Sequence, residues 1–154
     1  MDLKFSHVDI VVEDLDKAVE YYKRVFKCVA SEKIEWNRGG FHVDFVIMFS
    51  GTERFFLVKP YKGNLRDLLD TKGEGTIYRL CYTVPDMANA YDELLAAGVQ
   101  PEDENGAPLA KDNLASPGGT PIVWLPKAFG GLSIELLERG PHEAKMESRR
   151  KSAT

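Results

Sequence analysis

Ser6–Lys27 reads SHVDIVVEDLDKAVEYYKRVFK and Tyr78–Val99 reads YRLCYTVPDMANAYDELLAAGV. The two stretches align without a gap at an offset of 72, pairing Val12 with Val84, Asp14 with Asp86, Leu15 with Met87, Ala18 with Ala90 and Glu20 with Asp92. Each opens with a strand-like alternation of apolar and polar residues and continues as an amphipathic helix. In the first, Leu15, Ala18, Val19, Tyr22, Val25 and Phe26 share one helical face, and Asp14 is placed to cap the N-terminus. In the second, Met87, Ala90, Tyr91, Leu94 and Leu95 repeat that face, and Gly98 stops the helix. An internal duplication of this kind governs how the rest of the chain is read.

Working outward, VASEKIEW, FHVDFVIMF and RFFLVKP are three strand-like runs separated by Asn-Arg-Gly-Gly and Ser-Gly-Thr, so the first half reads β-α-β-β-β. In the second half PLAKDNL, TPIVWLP and LSIELLE read as three shorter strands, and SIELLER lies over RFFLVKP so that Glu135 pairs with Phe56. GNLRDLLDTKGEG between the halves predicts one or two helical turns and a Gly-rich hinge. The fold class expected is therefore α+β, with two tandem βαβββ modules over about 5–62 and 75–139 in a single domain 1–140. The segment 141–154 shows no apolar periodicity and reads as a flexible tail with His142 exposed.

A chain of 154 residues can bury a substantial interior. Its 44% hydrophobic and 29% charged residues and net charge of -4 point away from disorder, a membrane protein and a nucleic-acid binder, which needs a basic face. A small molecule is the expected partner. Cys28 and Cys81 have no metal-finger or redox-motif spacing, and the N-terminus lacks a signal-peptide pattern, so a reduced, cytoplasmic protein is expected.

HVDIVVEDLDKAVEYY, KGEG before the fifth strand and VWLPKAFGGLSIELLE near the end resemble the vicinal oxygen chelate superfamily, above all its methylmalonyl-CoA epimerases. The resemblance covers about residues 5–139. It implies a curved, partly open barrel with a central cavity, a homodimer, and a small carbonyl substrate that in the epimerases is a CoA thioester. It also implies four positions around a divalent cation, which fall on His7, Phe56, Arg79 and Glu135. Phe56 has no donor atom, and a guanidinium at Arg79 repels a cation, so of the usual set only His7 and Glu135 can ligate one. Around Gly39 and Gly40 no carboxylate matches the glutamate base of the epimerases.

Side chains two apart on a strand share a face, which groups His7 with Asp9, Arg79 with Cys81, and Ser133 with Glu135. Where relatives carry a small residue, Asp9 adds an acid. The pattern leads to an expectation that Arg79 does the electrostatic work of the missing metal, balanced by Asp9 and Glu135, with His7 as general acid or base. The catalytic candidates are thus His7, Asp9, Arg79 and Glu135. Phe56, Tyr82 and Trp124 are candidate apolar walls, and His42 and Asp44 candidate substrate-binding residues if their face is the inner one. No cofactor is expected.

The implied reaction class is proton transfer next to a carbonyl: isomerisation, epimerisation, cyclisation or elimination. Two alternatives stand beside it. One is a binding or resistance protein that holds a ligand without turning it over, in which Arg79 and Asp9 form a structural ion pair. The other is a metal-dependent epimerase with rearranged ligands, drawing on His7, Glu135 and His42.

Overall fold

A computed structural model describes residues 1–114, 116, 118–128 and 132–154. Phe129, Gly130 and Gly131 of the closing motif lie outside the described residues. The fold is α+β. The chain divides into two compact units, one of His7–Tyr78 with Ser148–Thr154 and the other of Met1–Ser6 with Arg79–Glu147. The first unit includes the module expected over about 5–62 except its first residues, and the second the module expected over about 75–139 except its first residues.

The His7–Tyr78 unit contains most of β1 (Lys4–Val11), then α1 (Leu15–Phe26), β2 (Val29–Ala30), β3 (Ile34–Arg38), β4 (Phe41–Ser50), β5 (Glu53–Lys62) and α2 (Asn64–Lys72). Its strands run in the order β2-β4-β5-β1, and β3 also pairs with β4. The run expected as one strand over VASEKIEW is two, β2 and β3, both antiparallel to β4 along the same edge. Ser31 lies at the break. Its Oγ accepts from the amide of Ile47 at 3.0 Å, so the ladder is bridged by a side chain there.

The apolar stripe of α1 settles on one face of this sheet. Leu15, Ala18, Val19 and Tyr22 pack with Ile10, Val12, Val46, Met48, Phe55 and Leu57. The opposite face carries Val11, Val43, Phe45, Phe56 and Val58, against Leu65, Leu68 and Leu69 of α2. Asp14 caps α1 by accepting from the amide of Lys17 at 3.1 Å. Glu74 of the KGEG motif accepts from the amide of Glu13 at 3.0 Å, which ties the hinge to the start of the helix.

The second unit is built from β6 (Ile77–Val84), α3 (Met87–Ala96), β7 (Ile122–Ala128) and β8 (Leu132–Glu138), with strand order β6-β8-β7. β6 and β8 are parallel, and β7 is antiparallel to β8. Asp86 caps α3 through the amide of Asn89 at 2.7 Å, the same bond that Asp14 makes one repeat earlier. Met87, Ala90, Tyr91 and Leu94 pack on Val84, Val123 and Leu136.

Two expectations fail here. PLAKDNL is not a strand: Pro108 makes an isolated bridge to Glu102, and Lys111–Asn113 forms a single 3-10 turn. Proline lacks the N–H a ladder needs, and the polar Lys-Asp-Asn run favours a turn. The tail is not free either. It forms α4 (Arg139–Ser152), in which His142 and Met146, one helical turn apart, are buried. His142 is 4% exposed, and its Nε2 lies 2.9 Å from Ser6 Oγ. The inward stripe of α4 consists of a histidine and a methionine, too thin to register as an apolar period. No described helix is long and apolar enough to cross a membrane.

Candidate active site

In the His7–Tyr78 unit, β1 presents His7 and Asp9 on one face. Both are buried, at 1% and 3% exposed. His7 Nε2 lies 3.3 Å from Asp9 Oδ1, within ion-pair distance. Parallel pairing with β5 sets Asp9 beside Phe56. The Phe56 ring stacks on His7 at a centroid separation of 3.8 Å and 10° between planes, and Phe45 stacks behind Phe56 at 5.5 Å. The Phe56 ring thus packs between His7 and Phe45.

In the other unit, register fixes the second group. Arg79 pairs with Ser133 and Cys81 with Glu135 across β6 and β8, while Trp124 of β7 pairs with Glu135. These residues therefore share one face of the three strands. Arg79 Nη1 donates to Glu135 Oε2 at 3.1 Å, with both residues buried at 8% and 6% exposed. The guanidinium carbon lies 5.6 Å from the centroid of the Trp124 ring, a cation–π contact that backs the ion pair. A buried charge of this sort persists only when paired, because desolvating a lone guanidinium would cost several kcal/mol.

Three placements differ from expectation. Tyr82 belongs to the opposite face from Arg79: it packs with the α3 cluster and meets Phe5 edge-on at 5.8 Å. One residue along a strand reverses the side, and Tyr82 follows Cys81. His42 and Asp44 likewise alternate with Val43 and Phe45, which lie on the Phe56 face, so they point to the face that carries α1. They do not share the face of His7 and Phe56, so the condition attached to their binding role, or to a ligand set with His7, is not met.

Of the four positions assigned to a cation by resemblance, two carry donor atoms, His7 and Glu135. Phe56 offers only a ring face, and Arg79 brings its own positive charge to 3.1 Å from the carboxylate of Glu135. What the two groups offer is a buried imidazole in one unit and a fixed, carboxylate-held guanidinium in the other.

Residues 6–115 match the Glyoxalase/Bleomycin resistance protein/Dioxygenase superfamily. The chain belongs to this superfamily. Its similarity to the methylmalonyl-CoA epimerases runs nearly end to end. The mitochondrial methylmalonyl-CoA epimerase of Dictyostelium discoideum is 30% identical over 88% of this chain and 78% of its own length. The Homo sapiens mitochondrial enzyme is 26% identical over 86% and 72%. The crystal structure of methylmalonyl-CoA epimerase from Mycobacterium tuberculosis superposes with a TM-score of 0.71 at 25% identity, covering 92% of this chain and 91% of that one. The vicinal oxygen chelate superfamily that the repeat and its motifs resembled is the one found.

Two interacting groups had no counterpart in the reading of the sequence. The Ser6–His142 bond joins residues at opposite ends of the chain, and no spacing signals it. Glu35 and Tyr61, which surround His42 and Asp44, were not singled out. Glu35 was legible, because a two-residue Gly39-Gly40 turn sets it opposite Asp44.

Proposed function

We propose that this protein is an epimerase-type isomerase that moves the proton beside the carbonyl of a CoA thioester without a divalent metal at the superfamily's usual position. The single observation that carries the proposal is the buried Arg79–Glu135 pair, whose guanidinium falls at a position that the family resemblance assigns to a metal ligand. Similarity to epimerases over most of the chain supports the substrate class.

Removing a proton from the carbon next to a thioester carbonyl moves charge onto the carbonyl oxygen. Arg79 supplies N–H donors for that oxygen, and Glu135 and Trp124 hold the donor before the charge develops. Preorganised donors of this type are worth about 10²–10³ in rate each. His7, with Asp9 3.3 Å away, is the group we assign to take up or return the proton. Replacement of two ligand positions also suits a binding protein that never turns its ligand over, and the experiment distinguishes the two.

Chelator-treated protein is mixed with a single epimer of methylmalonyl-CoA in D2O, and inversion and deuterium uptake at the α-carbon are followed. Deuterium uptake with inversion that survives chelation is the expected result. Binding with no exchange would leave the non-catalytic reading, and exchange that disappears on chelation and returns with added Co2+ would refute metal independence.

A further inference from the structure

On the α1 face of the His7–Tyr78 unit, away from His7, the hairpin of β3 and β4 gathers a second set of side chains. Gly39 and Gly40, with φ of 56° and 90°, close a two-residue turn in which Arg38 pairs with Phe41. Positive φ at both central residues is the tight-hairpin geometry that glycine permits. Asn37 then faces His42, and Glu35 faces Asp44, so Glu35, His42 and Asp44 emerge on the same side. One ligand atom from each lies within 4.8 Å of the other two.

The interior of the cluster is shaped by β5. His42 pairs with Lys62 but the neighbouring Val43 pairs with Pro60, which leaves Tyr61 as the extra residue of a bulge. A bulge re-aims a side chain. Here the Tyr61 ring turns over His42 at a centroid distance of 4.7 Å, and its hydroxyl donates to Asp44 Oδ2 at 2.7 Å. That bond raises the Tyr61 phenol above its ordinary pKa, because the adjacent carboxylate disfavours a phenolate. Asp44 is only 9% exposed and is held in place by a neutral donor. His42 Nε2 is shielded from solvent and makes no hydrogen bond among the described residues, yet Glu35 Oε2 stands 3.5 Å from it.

We propose that Glu35, His42 and Asp44 form a binding site for a divalent transition-metal ion such as Zn2+. One imidazole nitrogen and two carboxylate oxygens are a donor set such ions take, at about 2.0–2.2 Å each, with a fourth position open to water. Glu35, whose side chain is 64% exposed, is free to swing the short distance that closes the set. Tyr61 is the outer partner that orients Asp44, as ligating carboxylates require. Lys59, directly across from Asp44 on β5, places its ammonium 5.5 Å from the Tyr61 ring centroid. The ion would clip β3 to β4, and the site stands whether or not the protein is an isomerase.

The competing arrangement is a protonated His42 paired with Glu35 and no ion. Chelator-stripped protein separates the two by calorimetric titration with ZnCl2 and by the visible absorption of added Co2+. The wild type and the His7→Gln variant both bind an equivalent that His42→Gln lacks. Glu35→Gln, a change at an exposed side chain, weakens the same equivalent and guards against a His42 variant that fails to fold. Tyr61→Phe keeps the stoichiometry and weakens binding about 10-fold to 100-fold, the loss typical of an outer-shell partner. Zinc uptake that is absent in the wild type, unchanged in both His42→Gln and Glu35→Gln, or lost only in His7→Gln overturns the proposal.

Discussion

The two repeats differ in a patterned way. Where they build the scaffold they are nearly the same: Asp14 and Asp86 cap their helices through the amide three residues on, and Leu15 and Met87 follow them into the core at 4% and 0% exposed. Where they present side chains on the face away from the helix, they diverge. His7 of the first repeat corresponds to Arg79 of the second, and Phe56 to Glu135. The first repeat therefore carries an imidazole stacked on a phenyl ring, and the second a guanidinium bound to a carboxylate. Duplicated backbones need the same caps and core residues to fold, whereas a site needs unlike groups to do chemistry.

The largest effects should come from breaking the polar pair of the second repeat. Glu135→Ala leaves Arg79 buried without this carboxylate, and unfolding by urea should show a loss of about 3–5 kcal/mol. Next come the matched core positions. Leu15→Ala and Met87→Ala should each cost about 2–5 kcal/mol, and a cost confined to one of them would break the equivalence of the repeats. Smaller again, Asp86→Ala removes a helix cap and should lower stability by about 1 kcal/mol in the same urea assay.

The smallest effect is a pH dependence. The amide of Lys17, and then its ammonium, hold the Asp14 carboxyl below its ordinary value of 3.8. A carboxylate whose pKa is depressed on folding contributes stability that is complete above its unfolded value and is lost as pH falls through the lower, folded one. The contribution of Asp14 should thus be intact at neutral pH and vanish below about pH 4, and Asp14→Asn should flatten the acid limb of the stability curve. Asp2, whose carboxyl is held down by Arg139, acts with the same sign.

Most of the scaffold was legible in the sequence because its signals are local. Caps, helical stripes and strand alternation set α1, α3, β1, β4, β5 and β8, whereas Arg79 and Glu135 were singled out through the family resemblance, and their contact rests on the pairing of β6 with β8. Errors arose where a single residue of register decides the outcome. Tyr82 follows Cys81 and so leaves the Arg79 face, and His42 and Asp44 alternate out of the Phe56 face. The bulge at Tyr61 could not be foreseen, because it depends on how β4 and β5 pair. The C-terminal helix was missed because its docking rests on His142 and Met146, with a hydrogen bond to Ser6 at the other end of the chain.

The account turns on Arg79 acting as the fixed positive group beside a developing enolate. Its most direct test is the rate of α-deuterium uptake into methylmalonyl-CoA by chelator-treated protein, compared among wild type, Arg79→Lys and Arg79→Ala, each checked for folding by circular dichroism. The account predicts that Arg79→Ala loses about 10²–10³ in kcat, with Arg79→Lys recovering part of it by keeping the charge but not the fork. A folded Arg79→Ala protein exchanging deuterium at the wild-type rate would contradict it.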